Sequence, residues 1–285
     1  MAERESQIVL GLDPDPLRLW SGPAAGTAEE VAAAVAGHCR AVIDAVAGAV
    51  VAVKPQVACF ERLGAPGWAA LATTTRHATA AGLVVLADAK RGDIDVSATA
   101  YAQGLVGATP LDGGTVPGLG ADAMTVAPYM GLDTLRSFAA VARPHGAGLF
   151  VLVRTSNPGA ADLEDEPLAR GGTLWERVAE LVHGLGTPGP ESGLHDVGAV
   201  VGATEPRHLA RARELLPQAP FLLPGIGAQG GDVGAVAAAF APGRAGGLVT
   251  ASRAIAHAHE SAGGTPADAA RAEAERLREL AWALG

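Results

Sequence analysis

Short apolar runs recur along the chain at 8–12, 50–53, 83–87, 123–127, 148–153, 197–201, 221–223 and 247–251, with turn signals at their ends. They are near-continuous instead of alternating with polar residues, which is how strands covered on both faces of a parallel sheet read. Stretches of helical period separate them at 27–47, 67–80, 96–105, 132–142, 174–185, 206–215, 232–240 and 265–284. Thr27 with Glu30 three residues on forms a capping box, and Pro206 after Glu205 suits a first helical turn. Eight strand–helix units with no low-complexity linker predict an α/β fold of the (β/α)8 TIM-barrel kind, one domain over 1–285. Two stretches read as loop insertions, 109–120, rich in Gly and Pro, and 159–172, acidic in its middle. Both are expected at the end of the barrel that carries chemistry.

Charge narrows the classes of partner. A net charge of −9 and the lack of any basic run leave no patch to meet phosphates, so neither nucleic acid nor a membrane surface is expected as partner. No apolar run reaches membrane-spanning length, and the N-terminal stretch lacks the pattern of a signal or transit peptide. Two cysteines, Cys39 and Cys59, suit a reducing, cytoplasmic setting and the role of small buried hydrophobes. The eight histidines form no ligand cluster and read as structural or surface residues.

Of the 21 basic residues only two are lysines, Lys54 and Lys90; the other nineteen are arginines. In a barrel the C-terminal ends of the strands form the mouth of the active site. Asp13 ends the first predicted strand, Lys54 the second, and Asp88 with Lys90 the third, with Asp93 at the start of the next helix. Residues two apart on a strand share a face, so Asp88 and Lys90 are expected to look into the mouth together. Solvated charges after a strand, and Asp93 as a helix N-cap, are the plainer readings of single positions. Both lysines falling on one rim among aspartates is harder to explain that way.

Across the predicted barrel, Pro224-Gly225-Ile226-Gly227-Ala228-Gln229-Gly230 follows strand seven, and Ser252-Arg253 follows strand eight. A glycine turn at a helix N-terminus plus an arginine is a phosphate grip. A plain glycine-rich turn with a surface arginine is the alternative. The same residues satisfy GxGxxG, but a dinucleotide site wants an acidic residue about 20 positions on, where this chain has Thr250, Ser252 and Arg253. No nicotinamide cofactor is expected.

The segment Asp88-Ala89-Lys90-Arg91-Gly92-Asp93-Ile94 resembles the DxKxxDI signature of the orotidine 5′-phosphate decarboxylase family, and the turn from Pro224 to Gly231 resembles its phosphate loop. Asp13 in LGLDPD, Lys54 in VAVKPQ, Ser156 in RTSNPGA and Arg253 in ASRAI keep the family's order, and VKPQ, RTSNPGA and VGAT resemble its longer bacterial branch. The resemblance implies a homodimer of TIM barrels that converts orotidine monophosphate (OMP) to uridine monophosphate (UMP), the last step of pyrimidine synthesis, without metal or organic cofactor. It makes Lys54, Asp88, Lys90 and Asp93 the charged tetrad, with Asp93 and Ile94 completing the partner's site. It assigns Asp13 to the ribose, Ser156 to the pyrimidine, and Pro224, Gly225, Gly227, Gln229, Gly230, Ser252 and Arg253 to the phosphate end. Ser97 stands where the family usually has threonine, keeping the hydroxyl.

The chemistry asks for lysine. Loss of carbon dioxide from ring carbon C6 leaves a basic carbanion, and an ammonium beside it both stabilises that charge and donates a proton, which arginine does poorly. Alternatives on the same barrel are a metal-dependent sugar-phosphate decarboxylase or aldolase, a Schiff-base aldolase through Lys54 or Lys90, and a noncatalytic sensor of phosphate ligands.

Overall fold

The computed structural model describes residues 1–203, 205–224 and 233–284. In chain order its first half contains β1 (Ile8–Leu12), α1 (Ala28–Val46), β2 (Ala52–Pro55), α2 (Val57–Glu61), α3 (Gly64–Ala80), β3 (Val84–Arg91), α4 (Asp95–Leu105), β4 (Ala108–Leu111), β5 (Gly114–Pro117) and β6 (Ala123–Val126). There follow α5 (Leu132–Ala142), β7 (Gly148–Arg154), α6 (Leu174–Leu185), β8 (Val197–Val201), α7 (Pro206–Leu215), β9 (Phe221–Leu223), β10 (Gly247–Ala251), α8 (Arg253–Ala256), α9 (His259–Ala262) and α10 (Pro266–Trp282). Eight of these strands close into a parallel barrel in the order β1-β10-β9-β8-β7-β6-β3-β2, the TIM-barrel architecture expected from the apolar runs.

Strand alternation divides the core in two. Val9, Ala52, Leu86, Ala123, Phe150, Val200 and Leu222 fill the barrel interior. Their neighbours Ile8, Leu10, Val53, Val85, Ala87, Met124, Val151, Val201 and Leu223 join the layer between barrel and helices. Because the period is two, the next inward positions toward the strand ends are Gly11, Lys54, Asp88 and Thr125. A residue lining the apolar floor thus specifies which residue reaches the mouth.

Four sequence readings need correction. The third strand extends to Arg91, beyond the apolar run, so the charged segment lies on the strand itself. The second strand begins at Ala52 and runs through Lys54 to Pro55. The stretch 109–120 is not a loop at the catalytic end. It forms the antiparallel hairpin β4–β5 after α4 and before β6, on the side where strands begin, and its alternation was hidden because every position but Ala108 is solvent-exposed. Finally, Asp93 is not the helix cap, since α4 starts at Asp95 with Ile94 in the cap position. The capping box of Thr27 and Glu30 forms as read, with the Thr27 hydroxyl and the Glu30 carboxylate each accepting from the other residue's backbone N–H.

Candidate active site

Asp88 is the hub of the mouth. Its Oδ2 accepts from Lys54 Nζ at 2.6 Å and from Gln56 Nε2 at 3.2 Å. Its Oδ1 accepts from Lys90 Nζ at 2.6 Å and from the Thr125 hydroxyl at 2.9 Å. A carboxylate offers about four lone-pair sites, so this one is saturated and fixed in orientation. Asp88 is only 5% exposed and Lys54 6%. Burial pushes the Asp88 carboxyl up, but the ammoniums of Lys54 and Lys90 outweigh it and hold the group at about 2, below its ordinary 3.8.

Lys90 reaches Asp88 by an unexpected route. Register between β3 and β6 shifts between Ala87 and Arg91, and Lys90 has φ +48°, the left-handed region that side chains rarely adopt. Its backbone N–H donates to Thr125 Oγ1 at 2.9 Å, so one buried hydroxyl ties the strained residue to the carboxylate it serves. Such a backbone costs on the order of 1–3 kcal/mol and clusters at functional sites. The Lys90 side chain keeps 44% of its surface exposed, open to a ligand on the mouth side. Arg91 turns the other way, to an ion pair with Glu61 and a position 5.2 Å over the Tyr101 ring.

Sequence reading missed Gln56 and Thr125 as site residues. Gln56 lies two positions beyond Lys54 and shares its face; Thr125 is the lone polar residue of an apolar strand and is 1% exposed. Period-two counting from the apolar floor finds both.

Just beyond β1 and β10, Asp13, Ser252 and Arg253 line one hollow with His38 and His257. Gly11 makes this approach feasible: a Cβ there would stand 1.8 Å from Ser252 Oγ and 2.9 Å from its Cβ. Given the phosphate role that the resemblance assigns to Ser252, Gly11→Ala is expected to displace it and weaken UMP binding by about ten-fold or more, through loss of one or more charge-assisted hydrogen bonds. Titration calorimetry with UMP checks this, and unchanged affinity would separate Ser252 from the ligand. His38, pushed down by burial to about 4 and thus neutral at pH 7, accepts from Trp20 N–H at 3.1 Å. Trp20 in turn donates its indole N–H to Ala256 O at 2.8 Å, tying the β1–α1 segment to α8.

Ser156 lines a separate hollow just beyond β7, with Arg154, Asn157 and Gly202. Pro224 follows β9, and its carbonyl accepts from Ala203 N–H at 3.0 Å. Gly225, Gly227, Gln229 and Gly230 lie outside the described residues, as does Thr204 of the VGAT segment. Asp93 is not joined to the lysines: among the described residues it makes no ion pair, and its Oδ1 accepts from Ile94 N–H at 2.8 Å. Ile94 and Ser97 are exposed, and Asp93 is half-buried.

Comparison with known proteins agrees with the geometry. The family model described as orotidine 5′-phosphate decarboxylase / HUMPS family matches residues 6–265. An orotidine 5′-phosphate decarboxylase of Rhodopirellula baltica is 44% identical over 260 residues, covering 90% of this chain and 85% of that protein. One from Deinococcus radiodurans is 43% identical over 288 residues, covering 99% and 94%. Among solved structures, Leishmania donovani OMP decarboxylase superposes with a TM-score of 0.73 at 35% identity, covering 98% of this chain and 96% of that one. With a saturated aspartate between two lysines at the mouth of a TIM barrel, and with matches along nearly its whole length, the chain belongs to the orotidine 5′-phosphate decarboxylase family.

Proposed function

We propose that residues 1–285 act as one catalytic domain that decarboxylates OMP to UMP in pyrimidine synthesis, and that they do so without a metal. The observation that carries the proposal is the Asp88 carboxylate held between two ammoniums at 2.6 Å each. In the reaction the bond from C6 to the carboxylate breaks and carbon dioxide leaves, with the electron pair remaining on C6. Lys90 stabilises that charge and delivers a proton from Nζ to C6, then regains one from water. Lys54 holds Asp88 in place. Asp88, its acceptor sites already filled, faces the substrate carboxylate as a fixed negative charge, a repulsion relieved as carbon dioxide departs.

Asp13 binds the ribose, Ser156 the pyrimidine, and Ser252 and Arg253 the phosphate together with the segment 224–230. The phosphate is remote from C6, so its binding energy is available for holding the closed complex. Arg253→Ala is accordingly expected to lower kcat as well as affinity, with kcat/KM falling about 10²-fold. Steady-state kinetics decide: weaker binding at unchanged kcat would restrict Arg253 to uniform binding.

Asp93 and Ile94 complete the site of a second copy. Support for a homodimer comes from Ile94 (52% exposed), Val96 (82%), Tyr129 (82%) and Met130 (43%), large apolar side chains left open at the start of α4 and after β6, where Gly92 abuts Ala127 and Met130. Among the described residues no helix is long and apolar enough to cross a membrane, and both cysteines are free, in keeping with a cytoplasmic enzyme. The deciding experiment follows loss of OMP absorbance with purified protein in excess EDTA. Rapid conversion supports the metal-free reading. OMP loss that vanishes with chelator and returns with a divalent cation would overturn the metal-free reading, and no conversion with or without a cation would transfer the site to the metal-dependent sugar-phosphate chemistry.

A further inference from the structure

The acidic segment after β7 has no part in the chemistry above, yet it grips the strand end that carries Ser156. Arg154, 7% exposed at the last position of β7, points its guanidinium into this segment. Nε and NH2 donate to the two oxygens of Asp165 at 3.1 and 2.9 Å, a bidentate pair. NH1 donates to Glu164 Oε2 at 3.1 Å and to Thr155 O at 2.8 Å. Glu164 then closes the circuit on residue 155: Oε2 accepts from Thr155 N–H at 2.9 Å and Oε1 lies 2.8 Å from the Thr155 hydroxyl. That hydroxyl has a single hydrogen and also lies 2.7 Å from Asn157 Oδ1, so its proton is shared between the amide oxygen and the Glu164 carboxylate. The segment is itself anchored, since the carbonyls of Glu164 and Glu166 accept from Trp175 N–H and Leu174 N–H at the start of α6.

On the other side, Gly202 N–H donates to Arg154 O at 2.7 Å, and a Cβ on Gly202 would stand 2.9 Å from Ser156 Cβ and 3.1 Å from its backbone nitrogen. The residue before Ser156 and the residue after it are thus both fixed, and Ser156 abuts the bare backbone of β8. Arg154, Ser156, Asp165 and Gly202 all line one hollow of about 290 Å³.

We infer that Arg154, Glu164 and Asp165 are positioning residues that hold the 155–157 turn so that the Ser156 hydroxyl meets the pyrimidine, making the acidic segment a determinant of base recognition. The inference rests on the reading of Ser156 as the base contact. An ordinary structural ion pair would spread its bonds over distant elements; here the charged groups converge on the backbone N–H, carbonyl and hydroxyl of the residue next to Ser156. A misplacement of the contact by a fraction of an ångström is enough to cost rate and affinity.

The test compares Glu164→Gln, Ser156→Ala and the double variant, using UMP and ribose 5-phosphate as ligands that differ by the base. Glu164→Gln is expected to weaken UMP binding and lower kcat/KM for OMP by about ten-fold, while ribose 5-phosphate affinity stays within about two-fold. In the Ser156→Ala background the same change is expected to add less than about two-fold, because the two residues act through one contact. Equal losses for both ligands, or full multiplication of effects in the double variant, would reduce the network to general support and overturn the inference. Should Ser156→Ala itself leave UMP affinity unchanged, the base-contact reading fails first and the inference with it. Asp165→Asn, which loosens Arg154 and through it the bond to Thr155 O while leaving Glu164 on residue 155, supplies the same comparison if Glu164→Gln does not fold.

Discussion

Lys90→Ala is expected to lower kcat for OMP by about 10⁴-fold or more, because it removes the proposed general acid and its fixed charge together. UMP affinity should change by no more than about ten-fold, since the product has lost the carboxylate and the carbanion that this ammonium serves. The substitution is clean in backbone terms. Residue 90 keeps its N–H bond to Thr125, and alanine at φ +48° is no more strained than lysine. Lys90→Arg separates the two roles: it returns the positive charge but, with a pKa above about 12, withholds the proton, so kcat should remain at least about 10²-fold below the parent. Steady-state kinetics paired with UMP titration distinguish these outcomes. An alanine variant within ten-fold of the parent would place the proton donor elsewhere.

Asp88→Asn is expected to lose about 3–5 kcal/mol of folding stability at neutral pH and most of the activity. Asparagine matches aspartate in shape, but all four of its neighbours donate. Whichever way the amide turns, its NH2 confronts either Lys90 with Thr125 or Lys54 with Gln56. One ammonium is then left buried or half-buried without an acceptor. The pH dependence fixes the sign. Asp88 sits at about 2 in the fold against 3.8 ordinarily, so the stability conferred by its charge is fully present above 3.8 and is lost as pH falls from there toward 2. That contribution amounts to about 2 kcal/mol, and the gap between parent and variant should narrow by this amount across the same window. Urea unfolding at neutral pH and at several acid pH values measures both effects. A gap below about 1 kcal/mol at pH 7 would mean that Lys54 sheds its proton or finds another acceptor.

Most of the barrel was legible because buried parallel strands are written as uninterrupted apolar runs, and those at 8–12, 197–201, 221–223 and 247–251 have the bounds found in the fold. Reading failed where a strand leaves apolar surroundings. Three of the last four residues of β3 carry charge and follow the run, so nothing in their polarity marks them as strand. The β4–β5 hairpin faces solvent, and without a buried face it has no alternation to read. Within the site, alternation places Asp88 and Lys90 on one face, and they do meet. The path runs through a register shift and a left-handed residue, which no pattern of polarity encodes. Thr125 and Gln56 were passed over because a single polar residue in or beside an apolar strand resembles noise until the inward rows of neighbouring strands are aligned. The hold of Arg154 on Glu164 and Asp165 spans ten or eleven residues through a loop of no regular period, and lies beyond any local signal.

The scarcity of lysine has a practical side as well. Lys54 is shielded to 6% exposure beneath the mouth, while the Lys90 ammonium stays open to solvent, so apart from the terminal amine this chain offers one accessible primary amine, and it stands at the reacting carbon's proposed position. An acylating reagent that labels lysines indiscriminately on other proteins becomes here a site-directed probe. Its stoichiometry beyond the terminal amine counts open copies of the proposed site, and its slowing by bound nucleotide reads their occupancy directly, without any radiolabel or coupled assay.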